Sequence, residues 1–210
     1  AATGGGSGNA VTFSSAGSCS NTGATFTMTS GSGTCSVKYD QAGTANYNAA
    51  PQVVETVNAQ KADQTVTVTV HAPASAVFGD SFGVTASAPG GAVSFSSSGA
   101  CSNTGATFTM TSGTGTCSVK YDQAGNANYN AAPQVVESVN AQKADQTITV
   151  TTHAPSAAPF NSSFSVAATA PSGAVSFTSA GSCSNTGATY TITAASGTCS
   201  VNYDQAGNAN

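Results

Sequence analysis

Where apolar and polar residues show any rhythm in this chain, the period is two. Residues 65–70 read Thr-Val-Thr-Val-Thr-Val, which predicts a strand carrying Val66, Val68 and Val70 on one face. Phe82, Val84 and Ala86 continue the alternation up to an Ala-Pro-Gly-Gly turn at 88–91. Val93 and Phe95 mark a short strand that runs into the Ser-rich stretch 96–99. Ala106, Phe108 and Met110 face inward from another, whose outward positions are all Thr. Cys117, Val119 and Tyr121 predict one more, and residues 135–139 close the series. Short strands divided by Gly, Pro and Asn read as an all-β, antiparallel sandwich.

The series repeats. Cysteines stand at 19, 35, 101, 117, 183 and 199, so each member of a pair recurs after 82 residues. Residues 11–60 align without gaps on 93–142 at 44 of 50 positions, and 175–210 align on 93–128 at 27 of 36. The unit is most simply cut at Lys-Ala-Asp-Gln, which opens at Lys61 and again at Lys143. Residues 61–142 then form a complete repeat. Residues 1–60 form a partial one lacking the first strands, and 143–210 a partial one lacking the last. Two expectations follow: the chain is a window on a longer array, or strands from neighbouring molecules fill the gaps. Both point to a multi-module polymer.

Composition narrows the class. There is no Leu, Arg or Trp, while Ser and Thr number 30 each. Charged residues are 6%, against about 25% in ordinary soluble domains. With the straight-chain helix formers nearly missing, a mainly helical fold is excluded. Four Lys and no Arg cannot neutralise a phosphate backbone, so nucleic acid is excluded as a partner. The net charge of −4 with 39% hydrophobic residues does not match a disordered chain. No stretch approaches 18 apolar residues, so no membrane-spanning segment is expected. Residues 1–10 lack the basic flank and apolar run of a signal peptide, so any export signal is expected to be removed or to lie outside this sequence.

About 80 residues with few large side chains give a core near break-even against chain entropy, so staples matter. Six cysteines permit 15 connectivities. The repeat favours pairing within each module: Cys19–Cys35, Cys101–Cys117 and Cys183–Cys199. The competing reading is buried free thiols packing as small hydrophobes. Zinc is disfavoured, because one C-x15-C pair per module lacks close ligand doublets. Disulfides imply an oxidising compartment, hence a secreted or cell-surface protein.

The stretch YDQAGNANYNAAPQVVESVNAQKADQTI, with its match from Tyr39, resembles the tandem immunoglobulin-like repeats of large bacterial surface and secreted proteins. In that group a GTC-x-V strand leads to a QAG-x-ANYNAAP turn, a final strand and a KADQTI opening of the next module. The resemblance covers nearly the whole chain. It implies an extracellular β-sandwich array, and such modules serve as spacers, stalks and adhesive arms alike.

Candidate chemistry is sparse. His71 and His153 both sit in His-Ala-Pro with no second His or acidic partner at fixed spacing, and read as loop residues. Asp40, Asp122 and Asp204 recur in Tyr-Asp-Gln-Ala-Gly. With Asn126 and Asn128 they offer oxygen ligands to Ca²⁺, against a plainer role in bonding the turn's own backbone. No other cofactor or metal is expected. Lys61 and Lys143 lie in a polar opening unsuited to a Lys–Asn crosslink. No catalytic motif or carboxylate pair stands out, so the chain is not expected to be an enzyme. Asn161-Ser-Ser fits a glycan acceptor pattern, and the Ser- and Thr-covered faces suit surface sugar. The link around 139–147 holds neither Gly nor Pro, so joined modules should form a semi-rigid rod. The expectation is a structural stalk, fibre or filament whose partners are further repeats or copies of the same chain. The rival is an adhesin binding sugar or protein through loops at 96–105 and 122–132.

Overall fold

Thr, Val, Phe and Tyr at alternating positions leave the backbone little choice but extended structure. In the computed structural model, which describes residues 1–210, all regular elements are β-strands. No helix is long and apolar enough to cross a membrane.

Residues 61–142 carry the fullest set of strands. One sheet runs in the order Ser94–Gly99, Thr116–Asp122, Val135–Gln142, Ser75–Val77. Its first three strands are antiparallel, and the short Ser75–Val77 lies parallel to the end of Val135–Gln142. A second, antiparallel sheet runs Cys101–Thr104, Thr107–Met110, Ser81–Gly83. Thr67–Val70 pairs separately with Thr85–Ser87. Phe108 and Met110 from the second sheet meet Cys117, Val119, Tyr121 and Val139 from the first, all at most 1% exposed. The alternation puts Thr107 and Thr109 on the face opposite Phe108 and Met110, Thr107 exposed and Thr109 half-buried. Phe82 stacks on Phe108 at 5.7 Å between ring centres, and Phe95 meets Tyr121 edge to face at the same distance.

Three details depart from the sequence pattern. The alternation from Phe82 to Ala86 is two strands, not one. Ser81–Gly83 joins Thr107–Met110, while Thr85–Ser87 joins Thr67–Val70. Val84 sits between them, 1% exposed, its N–H donating to the Ala106 carbonyl at 3.0 Å. Next, the register shifts between Val68 and Val70, so the two no longer share a face. Val66 is buried at 8% exposure and Val70 stands out at 49%. Finally, the loop expected at 96–105 is largely two strands, with Ala100 alone between Ser94–Gly99 and Cys101–Thr104. Gly99 makes the corner. It has φ +87°, and a Cβ there would lie 2.1 Å from the Thr116 carbonyl oxygen.

Strands at matching positions flank this middle unit. Before it come Thr12–Gly17, Cys19–Thr22, Thr25–Met28, Thr34–Asp40 and Val53–Asn58. After it, Ser176–Gly181, Cys183–Thr186, Thr189–Ile192 and Cys199–Asp204 repeat the first four, preceded by Thr149–Thr152, Ser163–Ser165 and Ala167–Thr169. The flanking cores are small: Cys19, Cys35 and Val37 on one side, Val166, Cys183 and Tyr190 on the other. Val53–Asn58 is exposed along its whole length, and Cys199–Asp204 pairs only with Ser176–Gly181.

Candidate functional site

The six cysteines form three disulfides, Cys19–Cys35, Cys101–Cys117 and Cys183–Cys199, each with Cα atoms 5.2 Å apart. No cysteine is free. Cys101 lies opposite Met110 in the second sheet, and Cys117 opposite Gly99 and Val139 in the first. The bond therefore staples the two sheets across the core. Closing a loop of this length is worth about 3 kcal/mol in the chain-entropy model. Three such bonds in 210 residues suggest an oxidising, extracellular-like setting.

The turn after Tyr121 uses its polar groups internally. The Asp122 carboxylate accepts two hydrogen bonds from Gln134 Nε2, at 2.8 and 3.0 Å, and Asp40 takes the same pair from Gln52 at 2.9 and 3.1 Å. Asp204 ends its strand exposed, its carbonyl accepting from the Ser176 hydroxyl at 3.1 Å. Asn126 Oδ1 accepts from the N–H groups of Asn128 and Tyr129 at 2.7 and 2.9 Å, and its amide donates to the Gly90 carbonyl at 2.9 Å. Asn126 thus bonds the turn's own backbone, whereas the Asp40 and Asp122 carboxylates hold a glutamine side chain instead. Nowhere are three or more His, Cys, Asp or Glu side chains gathered as a metal-ligating group.

Two constellations were not foreseen. The first joins the recurring motifs Lys-Ala-Asp-Gln and Asp-Gln-Ala-Gly. Buried Gln64 donates from Nε2 to Gln123 Oε1 at 2.5 Å and to the Asn130 carbonyl at 2.6 Å, while its Oε1 accepts the Gly90 N–H at 2.7 Å. Gln123 Oε1 also takes the Gly125 N–H at 2.6 Å. Gln146 and Gln205 repeat the pairing in the following unit. The sequence signal was the constant offset of the two glutamines, which periodicity of apolar residues does not register.

The second corrects the reading of His71. It lies outside the strands, as expected, but it has an acidic partner: its Nδ1 meets Glu137 Oε1. The other carboxylate oxygen accepts from the Ala72 N–H at 2.9 Å and the Tyr121 hydroxyl at 2.5 Å. Burial pulls the Glu137 carboxyl upward. The Ala72 N–H, Tyr121 and His71 outweigh it and hold the group below its ordinary value. Burial, helped by the bond to Glu137, pushes the Tyr121 phenol far up. In the preceding unit Tyr39 donates to Glu55 at 2.6 Å.

Units meet through the same turn. Asn128 Oδ1 accepts the N–H of Gly31 at 2.9 Å, and Asn210 Oδ1 that of Gly113 at 3.3 Å. Ala62, in the link between the first two units, pairs with Tyr129 by a parallel bridge. A cleft of about 270 Å³ lies at this joint, lined by Met28, Gly31, Ala62 and Tyr129 among others. A groove of about 300 Å³ runs beside Cys199 and Val201, between residues 154–158 and 194–198. In the middle unit, strand Val135–Gln142 lies against the matching Cys117 and Val119. Another recess, of about 360 Å³, is lined by Thr3, Tyr39, Asp40 and Glu55. Comparison with protein families, with curated proteins and with solved structures finds no match to this chain.

Proposed function

We propose that this chain is part of an extracellular structural array, a semi-rigid stalk, fibre or filament of the cell surface built from tandem immunoglobulin-like β-sandwich modules of 82 residues. One observation carries the reading: both junctions are made by the same pair of groups, 97 residues apart each time. Equivalent joints pass a constant rotation from unit to unit, which is how stacked repeats become rods. The intra-unit disulfides support it, since each module is stapled without help from its neighbours.

The strand Val53–Asn58 and the groove beside Cys199–Asp204 offer unpaired edges. A strand from the remainder of a longer chain, or from a neighbouring copy, completes them and extends the array. With charged residues at 6%, few gatekeepers oppose such pairing.

Small-angle scattering of the 210-residue protein tests the rod directly, with an elongated particle of three units expected and a rounded one counting against it. On intact source cells, surface protease should cleave the protein. Altering Ala124 and Ala131, exposed positions of the turn 122–132 that take no part in the joint, should leave assembly in place. Loss of surface attachment with assembly intact would instead favour an adhesin.

A further inference from the structure

The joint has a requirement written into single positions. Gly31 and Gly113 stand at matching places, each in the loop between the strand ending at Met28 or Met110 and the one opening at Thr34 or Thr116. Neither has a positive φ, so the local backbone does not demand glycine. The neighbour does. A Cβ on Gly31 would lie 2.7 Å from Asn128 Cα and 2.8 Å from the Ala127 carbonyl oxygen. On Gly113 it would lie 2.8 Å from the Ala209 carbonyl oxygen and 2.9 Å from Asn210 Cα. These are main-chain atoms, which cannot step aside as a side-chain tip would.

The Asn-bearing turn is prepared for the contact. Asn128 and Asn210 are each held by a bond from their own N–H to Oδ1 of the Asn two residues earlier, 2.7 Å in both cases. The glycine loop is braced too: the Ser112 hydroxyl donates to the Thr114 carbonyl at 3.0 Å and accepts the Thr114 N–H at 3.2 Å. In the third unit the matching residues are Ala194 and Ala195, in place of Ser112 and Gly113. The brace's hydroxyl is missing there, and Ala195 carries a Cβ at the position where one on Gly31 or Gly113 would meet main chain.

We propose that the glycine loop is the docking surface by which one unit fixes the next, that its partner is an Asn-bearing turn of the Gln-Ala-Gly-x-Ala-Asn type, and that Ala195 makes the third unit's loop unable to accept one. Units of the Gly31 and Gly113 kind hold their successor at a set angle, and a unit with Ala at this place joins its successor loosely. The array is thus stiff or bent according to one residue per module. The idea rests on the reading of the chain as a rod of docked units.

Pulsed dipolar spectroscopy tests it, with nitroxide-bearing non-cysteine side chains introduced at the exposed, equivalent Thr22 and Thr104, or Thr104 and Thr186. The disulfides stay untouched. The unaltered chain should give a narrow distance distribution for each pair. Gly31→Ala should broaden and shift the first, and Gly113→Ala the second, each leaving the other unchanged. Asn128→Ala removes the bond without adding bulk and should broaden the first pair alone. Unfolding curves matching the parent establish that the units remain folded. Narrow distributions unaltered by these three substitutions would overturn the latch and leave the rod standing. A broad distribution in the parent would overturn both.

Discussion

The Tyr121 hydroxyl donates to the Glu137 carboxylate at 2.5 Å, tying adjacent strands of one sheet, and the same carboxylate reaches His71 and the Ala72 N–H outside it. Glu137→Gln should cost about 1–3 kcal/mol at neutral pH, since the Ala72 N–H and Tyr121 lose a charged acceptor. Chemical denaturation would measure it. No change would mean that the cluster is incidental.

The pH dependence follows in sign. Glu137 is held below its ordinary 4.5, so its contribution is present above that value and is lost as pH falls through the lower, folded one. Tyr121 is raised from 10.0, so its contribution is complete below pH 10 and is lost as pH rises beyond it. Melting temperatures between pH 2 and 6 should fall more shallowly in Glu137→Gln than in the parent. Parallel acid limbs would contradict the assignment.

Reduction should weaken every unit. Cys101→Ser with Cys117→Ser should remove about 3 kcal/mol from the middle one, read as an earlier unfolding transition in guanidinium. An unmoved transition would show that the core needs no staple.

The buried glutamine pair predicts a sizeable cost for a polar surface-type residue. Gln123→Ala takes one of two acceptors from the Gln64 amide and strands the Gly125 N–H, and should cost about 1–3 kcal/mol. Equilibrium unfolding with the parent alongside would decide it, a neutral effect counting against the lock.

Phe108→Ala should cost about 3–5 kcal/mol, while Val70→Thr, half exposed beyond the register shift, should cost almost nothing. Thermal scans of both would compare them. A severe loss at Val70 would contradict the observed register.

Those last two positions mark how far the sequence could be read. Phe108 and Met110 followed from alternation alone, because their strand keeps one register and one sheet throughout. Val70 did not, because a one-residue irregularity turns it outward without altering the pattern of letters. Val84 looked like the centre of a strand and is the crossing point between two, a choice made by the partners on either side. The cysteine pairing was legible from the repeat, whereas Glu137 was not. Its partner His71 stands 66 residues away, too far for any local pattern to join the two. The turn at 122–132 was recognised as a turn, but its contact with Gly31 lies in another unit and left no local mark.

The glutamine lock also sets an order of assembly. Gln64 near the opening of a unit waits for Gln123, 59 residues further on, whereas the disulfide closes over a span of 16. Cys117 and Gln123 stand close together in the chain, so the order is set by loop length: the short sulfur-bridged loop costs less entropy to close than the long span from Gln64. Until the lock closes, the opening strand is free to pair elsewhere, and the near-identity of the repeated sequences gives it matching strands with which to mispair.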